Sequence, residues 1–365
     1  MTSHGAAVRQ ASDLNPAKVD ALIDRVRLEV DEGRLPSAQV AIGHGGSLIA
    51  FETFGAAEPT TRYRLQSVSR PFVAGALWKL VDDHSIDVTL PVSTWIPGFC
   101  EGITLEDVAT HRAGLAYAPL GAKRMATREL RLEAMLRWQP DPDARGHVQF
   151  ALTSTGWVVW EVIEALTGLG LPEYLEQHIT GPLGLTAQLA VPESEQGDVA
   201  PMVLLGGSTD ELDVWGPWYL DRAKVLARGE PSHSVVATAA DVAMHYQGML
   251  HSEVWSRHAV ADGIRVRARE PAYGPPEHGG TSYPISIGMF VTVRGKSWQP
   301  GWMPATASPS TFGHGGAPCQ QSFCDPETGI SFAFLTNGYP ASGYAFDRWG
   351  SNLSIVLLDL AGDLT

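Results

Sequence analysis

Apolar positions along this chain follow two periods, and the switches between them divide it into regions. Val19, Leu22, Ile23, Val26 and Val30 recur every three or four residues, the stripe of an amphipathic helix. Asn15-Pro16 offers an N-cap and a first-turn proline, and Gly33 closes the helix. Two short strands follow, Ala38 to Gly43 and Ser47 to Phe54, around the Gly45-Gly46 turn. Val73, Leu77, Leu80 and Val81 return to helical spacing directly after Arg64-Leu65-Gln66-Ser67-Val68-Ser69-Arg70-Pro71-Phe72. From about residue 85 to about residue 250 the pattern is mostly helical with proline and glycine breaks, clearest at Val158 to Leu166 and Asp241 to Leu250. Within it, residues 200–232 set Trp215, Trp218 and Tyr219 among glycines and prolines and read as a long irregular loop. After a polar, proline-rich segment at 266–284, strand patterns resume at Ile285 to Val293, Gln320 to Cys324 and Ile330 to Leu335. Leu353, Val356, Leu357 and Leu360 then lie on one face of a closing helix. This order predicts an α/β fold in a single domain. One sheet region, about residues 15–84 and 285–365, is built from both chain ends, and a mostly helical region, about residues 85–284, is inserted between them.

Composition narrows the partners. A chain of 365 residues, 44% of them hydrophobic and 18% charged, can bury a large core. Lys and Arg number 26 against 40 Asp and Glu, a formal net charge of −14 that disfavours nucleic acid and anionic membrane surfaces. It does not exclude an anionic small molecule facing a local arginine. Met1 to Asn15 is polar with no apolar core of signal-peptide length, no run is long enough to span a membrane, and Cys100, Cys319 and Cys324 form no disulfide framework. The expected location is the cytoplasm. No His-Glu-x-x-His motif, cysteine pair or glycine-rich phosphate loop is present, so no metal or cofactor is expected and the expected partner is a small-molecule substrate.

The Ser67 stretch carries the candidate chemistry. Ser67 falls at or near a helix N-terminus, and Arg70, three residues on, shares its face. A hydroxyl there with a cation one turn along suits an anion or a developing oxyanion. Taken alone, the stretch reads first as a helix cap followed by an exposed arginine.

Several stretches, in order, resemble the serine β-lactamase-like family, which includes class C β-lactamases, DD-peptidases and related esterases and transesterases. They are Leu35-Pro36-Ser37-Ala38; Ile103-Thr104-Leu105 with Thr110-His111-Arg112-Ala113-Gly114-Leu115; Thr155-Gly156-Trp157 with Glu161 to Gly168; Gly181-Pro182-Leu183-Gly184-Leu185; Ala237 to Ala243; and Phe312-Gly313-His314-Gly315-Gly316 with Asp325-Pro326 and Leu335-Thr336-Asn337. The resemblance implies an antiparallel sheet flanked by helices with an inserted helical region. It also implies three motifs, and here the match is uneven. In place of Ser-x-x-Lys stands Ser67-Val68-Ser69-Arg70. In place of Tyr-x-Asn stands Leu152-Thr153-Ser154. His314-Gly315-Gly316 matches the esterase-like version of the third.

The substitutions change the chemistry. A serine hydroxyl needs a base, and arginine stays protonated, so Arg70 can stabilise charge but cannot accept the proton. Leu152 can move no proton. His314 is then the expected base. Ser154 and Thr153 are possible relay groups or a helix N-cap, and His111 reads as structural support. Gly315 and Gly316 allow close approach of a ligand to the strand backbone. By resemblance, the amides of Ser67 and of a residue near Ala317 to Cys319 form an oxyanion hole. Leu152, Trp218, Tyr219 and Tyr339, with Trp215, are candidate pocket walls. Three functions are expected in order of preference: a serine acyl hydrolase or acyltransferase, a repurposed pocket running a non-acyl reaction such as cyclisation, isomerisation or elimination, and a catalytically silent binding protein. Ordinary β-lactamase or DD-peptidase activity is not expected.

Overall fold

The structure, a computed structural model, describes residues 14–116, 118, 120–205, 222–272, 283–296, 303–317, 319–340 and 348–365. Helix α1 (Pro16–Asp31) starts at Asn15, whose side chain accepts from the Ala17 amide. Strands β1 (Ser37–His44) and β2 (Ser47–Gly55) form the expected hairpin. Strand β3 (Tyr63–Arg64) leads to helix α2 (Arg70–Asp83). The helical region includes α3 (Arg128–Met135) and α4 (Ser154–Thr167) and is followed by β4 (Val203–Leu205), β5 (Val236–Ala237) and α5 (Ala239–His251). Strands β6 (Ala268–Ala272), β7 (Tyr283–Ile287), β8 (Thr292–Val293), β9 (Phe312–Gly313), β10 (Gln321–Asp325), β11 (Ile330–Thr336) and β12 (Gly338–Pro340) precede α6 (Arg348–Gly362).

Eight strands make one antiparallel sheet in the order β2-β1-β11-β10-β9-β8-β7-β6. The pairing of β1 with β11, from Ala38 opposite Thr336 to His44 opposite Ile330, joins the two ends of the chain. Alternate residues of each strand serve opposite faces. Val40, Ile42, Phe323, Phe332 and Phe334 pack with Leu22 and Val26 of α1 and Leu353 and Leu357 of α6. Ala41, Cys324, Ala333 and Leu335 belong to the larger core on the other face, with Phe72 and Leu77 of α2, Trp157 of α4 and Val242 and Tyr246 of α5. That core continues into the helical region, where buried Glu161 accepts from Arg131 at 2.8 Å and from Arg128 at 3.0 Å.

Several elements differ from the sequence pattern: β4 and a short helix, Ala223–Leu226, lie within the stretch 200–232 expected to be a loop, and two further differences concern the sheet. The apolar run Ile285 to Val293 is two strands, because the chain turns at Gly288 to Val291 with the Gly288 amide bonded to Val291 O. Phe290 has a φ of +66° there, and a Cβ on Gly288 would lie 2.5 Å from Gly263 O. The polar segment at 266–284 contains β6, whose backbone pairs with β7 at the sheet edge. An edge strand needs backbone pairing on one side more than an apolar face, so hydrophobic period does not reveal it. Among the described residues, no helix is long and apolar enough to cross a membrane.

Candidate active site

Ser67 lies on a single 3-10 turn, Gln66–Ser69, between β3 and α2. Arg70 and Pro71 open the helix, where a proline costs no hydrogen bond. Gln66 has a φ of +50°, sparsely populated for a residue with a side chain. Gln66, Val68, Ser69 and Arg70 are buried, while Ser67 is half-buried. The turn therefore presents one hydroxyl outward from a packed base.

Neighbouring backbone holds that base from two sides. The Leu65 amide donates to Val235 O at 2.9 Å, and the Val235 amide donates to Ser69 Oγ at 3.1 Å. Strand β3 also pairs with β5. From the sheet side, Gln320 Nε2 lies within hydrogen-bond reach of Arg64 O and of the Tyr339 hydroxyl, at 3.0 and 3.1 Å. Through Gln320 the buried Tyr339 ring is linked to Arg64 O, next to the Ser67 turn. A Cβ on Gly316 would stand 2.8 Å from Leu65 O and 3.3 Å from Gln66 Cβ, and one on Gly315 would meet the Gln321 side chain at 2.9 Å. Gly316 thus lets the strand after His314 approach the turn closely.

Arg70 is fully buried. Its Nη2 donates to Ala151 O at 2.9 Å and to Leu152 O at 2.6 Å, and its guanidinium carbon lies 4.7 Å from the Phe150 ring centroid and 5.3 Å from that of Phe290. The arginine expected at the lysine position therefore binds the segment expected at the tyrosine position. His111 and His314 flank this group. Ala151 N donates to His111 Nδ1 at 3.2 Å, and burial, then the charge of Arg70, hold the His111 pKa well below its ordinary value. His314 Nδ1 lies 2.6 Å from Gly315 O, a contact that places the proton on Nδ1 and the lone pair on Nε2. Burial first, then Arg70, push the His314 pKa down to about 3. Both rings, with Phe150 and Phe290, line a cavity of about 10 Å³, roughly the space of one water.

The residues in the second-motif position are not equivalent. Leu152 is 39% exposed. Thr153 occupies the N-cap position of α4 without a side-chain cap bond. Ser154 is buried and donates to Leu115 O at 2.6 Å, which commits its proton and leaves its oxygen as an acceptor. Trp215, Trp218 and Tyr219 lie outside the described residues, as does Pro318.

One group was missed by the sequence reading. Glu230 and His233, both buried, pair at 2.7 Å between Oε2 and Nδ1 on the turn before β5. A Glu and a His three apart were the available signal, obscured by the loop-like text around them.

This geometry sits on a known scaffold. The profile of the Beta-lactamase family matches residues 19–356. Esterase EstB of Burkholderia gladioli is 25% identical over 401 aligned positions, covering 94% of each chain. A putative D-alanyl-D-alanine carboxypeptidase of Salmonella enteritidis PT4 is 23% identical over 316 positions, 77% of this chain and 70% of that protein. A penicillin-binding protein homologue from Caulobacter crescentus superposes with a TM-score of 0.78 at 21% identity, covering 95% of this chain and 98% of that one. EstA from Arthrobacter nitroguajacolicus Rue61a gives a TM-score of 0.74 at 21% identity, with 95% and 98% covered. With the altered Ser67 motif on the turn before α2 and the His-Gly-Gly strand beside it, the chain belongs to the β-lactamase family of serine hydrolases.

Proposed function

We propose that this protein is a serine hydrolase or acyltransferase that acts through Ser67 on an ester or amide of a small molecule in the cytoplasm. The observation that carries the reading is the Ser67 turn itself: a half-buried hydroxyl on an otherwise buried turn, set by a positive φ at Gln66 and closed by Gly316. Strain at one residue before an outward hydroxyl is a recurrent way of presenting a nucleophile. The names of similar proteins, among them esterases, a D-amino acid amidase and a hydrolase with promiscuous acyltransferase activity, support acyl chemistry on this scaffold.

In this reading Ser67 Oγ attacks the acyl carbon, and the Ser67 amide with an amide near Ala317 to Cys319 receives the developing oxyanion. Arg70 holds Phe150 to Leu152 in place and sets the local charge. His314 keeps an accepting Nε2, but a pKa of about 3 makes it a weak base. Leu152, Gly315, Gly316, Trp218 and Tyr219 are the proposed substrate contacts, and Tyr339 acts through the Ser67 turn. Arg70 and Leu152 weigh against β-lactamase or DD-peptidase turnover and favour a biosynthetic tailoring reaction. Incubation with a fluorophosphonate, read by intact mass, should add one label that Ser67→Ala abolishes. A folded wild-type protein that stays unlabelled overturns the acyl reading.

A second reading is supported by the bonding of Arg70 to Ala151 O and Leu152 O, a use of these positions other than moving a proton. Here the pocket runs a non-acyl reaction. Turnover that survives Ser67→Ala and is lost in His314→Ala would select it.

A further inference from the structure

We propose that His233, oriented by Glu230, is the base that accepts the Ser67 proton, in place of the lysine and tyrosine this chain lacks. The proposal rests on the acyl reading of Ser67 and names its missing component.

Glu230 Oε2 lies 2.7 Å from His233 Nδ1, and Glu230 Oε1 accepts the Ser232 amide at 3.2 Å. A carboxylate can only accept, so the imidazole proton is on Nδ1 and the lone pair is on Nε2. Glu230 is fully buried and His233 is 2% exposed. His233 Nε2 has no hydrogen-bond partner among the described residues, and neither do the buried hydroxyls of Ser232, Ser234 and Thr155. A buried acceptor of this kind costs stability unless something else uses it. The carboxylate–imidazole order, with the second ring nitrogen open, is the arrangement by which a buried acid orients a catalytic base.

Its position fits the role. Two residues beyond His233, Val235 bonds both the Leu65 amide and Ser69 Oγ, so the chain is clamped to the turn on either side of Ser67. On the other side, Ser232 Oγ lies 2.5 Å from where a Gly156 Cβ would be, packing the turn against the start of α4 just after Leu152 to Ser154. Val235, bonded to the Ser67 turn, and Ser232, packed against the start of α4, thus flank His233 in the chain.

The proton balance is simple. Ser67 Oγ–H gives its proton to His233 Nε2 as the Oγ–carbon bond forms and the carbonyl electrons move to oxygen. When the intermediate collapses, the bond to the leaving group breaks and the imidazolium returns the proton to that group. Glu230 stays ionised and steadies the imidazolium.

The test is the rate at which a fluorophosphonate labels Ser67. His233→Ala should slow labelling by about 100-fold or more. Added imidazole should restore at least about tenfold of that loss, because the removed ring leaves room for it. Glu230→Gln should slow labelling less and move the midpoint of its pH profile downward, with melting monitored alongside. Imidazole rescue separates lost chemistry from lost structure. Labelling of His233→Ala within about threefold of wild type, or a loss that imidazole does not touch, overturns the role of His233 while leaving Ser67 as nucleophile. A wild-type protein that is never labelled overturns the acyl reading and the base with it.

Discussion

Gly316 occupies a place where a side chain cannot fit. A Cβ there would lie 2.8 Å from Leu65 O, a backbone atom that cannot swing aside. Gly316→Ala should therefore displace the strand end or the Ser67 turn, cost about 1–3 kcal/mol, and slow fluorophosphonate labelling more than tenfold, measured by denaturant melts and intact mass. Arg70 gives a second expectation. Lysine cannot reproduce one nitrogen donating to two carbonyls while a flat cation lies against Phe150 and Phe290. Arg70→Lys should lower stability by about 2–4 kcal/mol and raise hydrogen exchange at Ala151 to Thr153. At this scale the sequence exposes motif residues and hides pairs. Ser67, His314 and Gly316 are visible because they fall in fixed strings beside period-bearing segments. The grip of Arg70 on Ala151 and Leu152 joins positions about 80 residues apart, and nothing local encodes it. Glu230 and His233 are close in sequence, but their text has no period to mark their burial.

The elements around the site depend on a few buried polar contacts as well as apolar packing. Glu161 on α4 accepts from Arg128 and Arg131 of α3, and the Arg131 guanidinium carbon lies 4.6 Å from the Trp160 ring centroid. Removing one partner of a buried ion pair strands the others, so Glu161→Ala should cost about 3–5 kcal/mol in a denaturant melt. Because α4 begins beside Leu152 to Ser154, that loss should also loosen the Arg70 segment. Strong helices and the hairpin were readable in outline: α1, α2, α5 and α6 carry clean apolar stripes. α4 starts at Ser154, ahead of its clearest apolar run from Val158. Edge strand β6 and the β7–β8 hairpin were not readable, because their placement is set by backbone pairing and by the turn at Gly288 to Val291.

Across the whole molecule, buried histidines tie stability to pH. His245 is pushed down to about 4 by burial, and His314 to about 3 by burial and then Arg70, both from an ordinary 6.5. Both rings are neutral in the folded protein, whereas the unfolded chain protonates them as pH falls below 6.5. The unfolded state then binds more protons, so their contribution is complete above that value and is lost as pH falls toward 4 and 3. Melting temperature should drop steadily between about pH 7 and pH 4, and His245→Gln should flatten part of that slope. The chain ends are also bound together: the Asn15 amide donates to Leu364 O at 2.8 Å, and Lys18 reaches Asp363 and Thr365 O. This proximity matters during synthesis. Strand β1 pairs with β2 at once but must wait for β11, some 290 residues later, for its second sheet neighbour. A ribosome therefore releases α2, with Phe72, Val73 and Leu77, long before the strands that cover it are made. For most of translation the nascent protein carries the Ser67 turn beside an uncovered apolar helix, a state that chaperones rather than the fold itself must keep from aggregating.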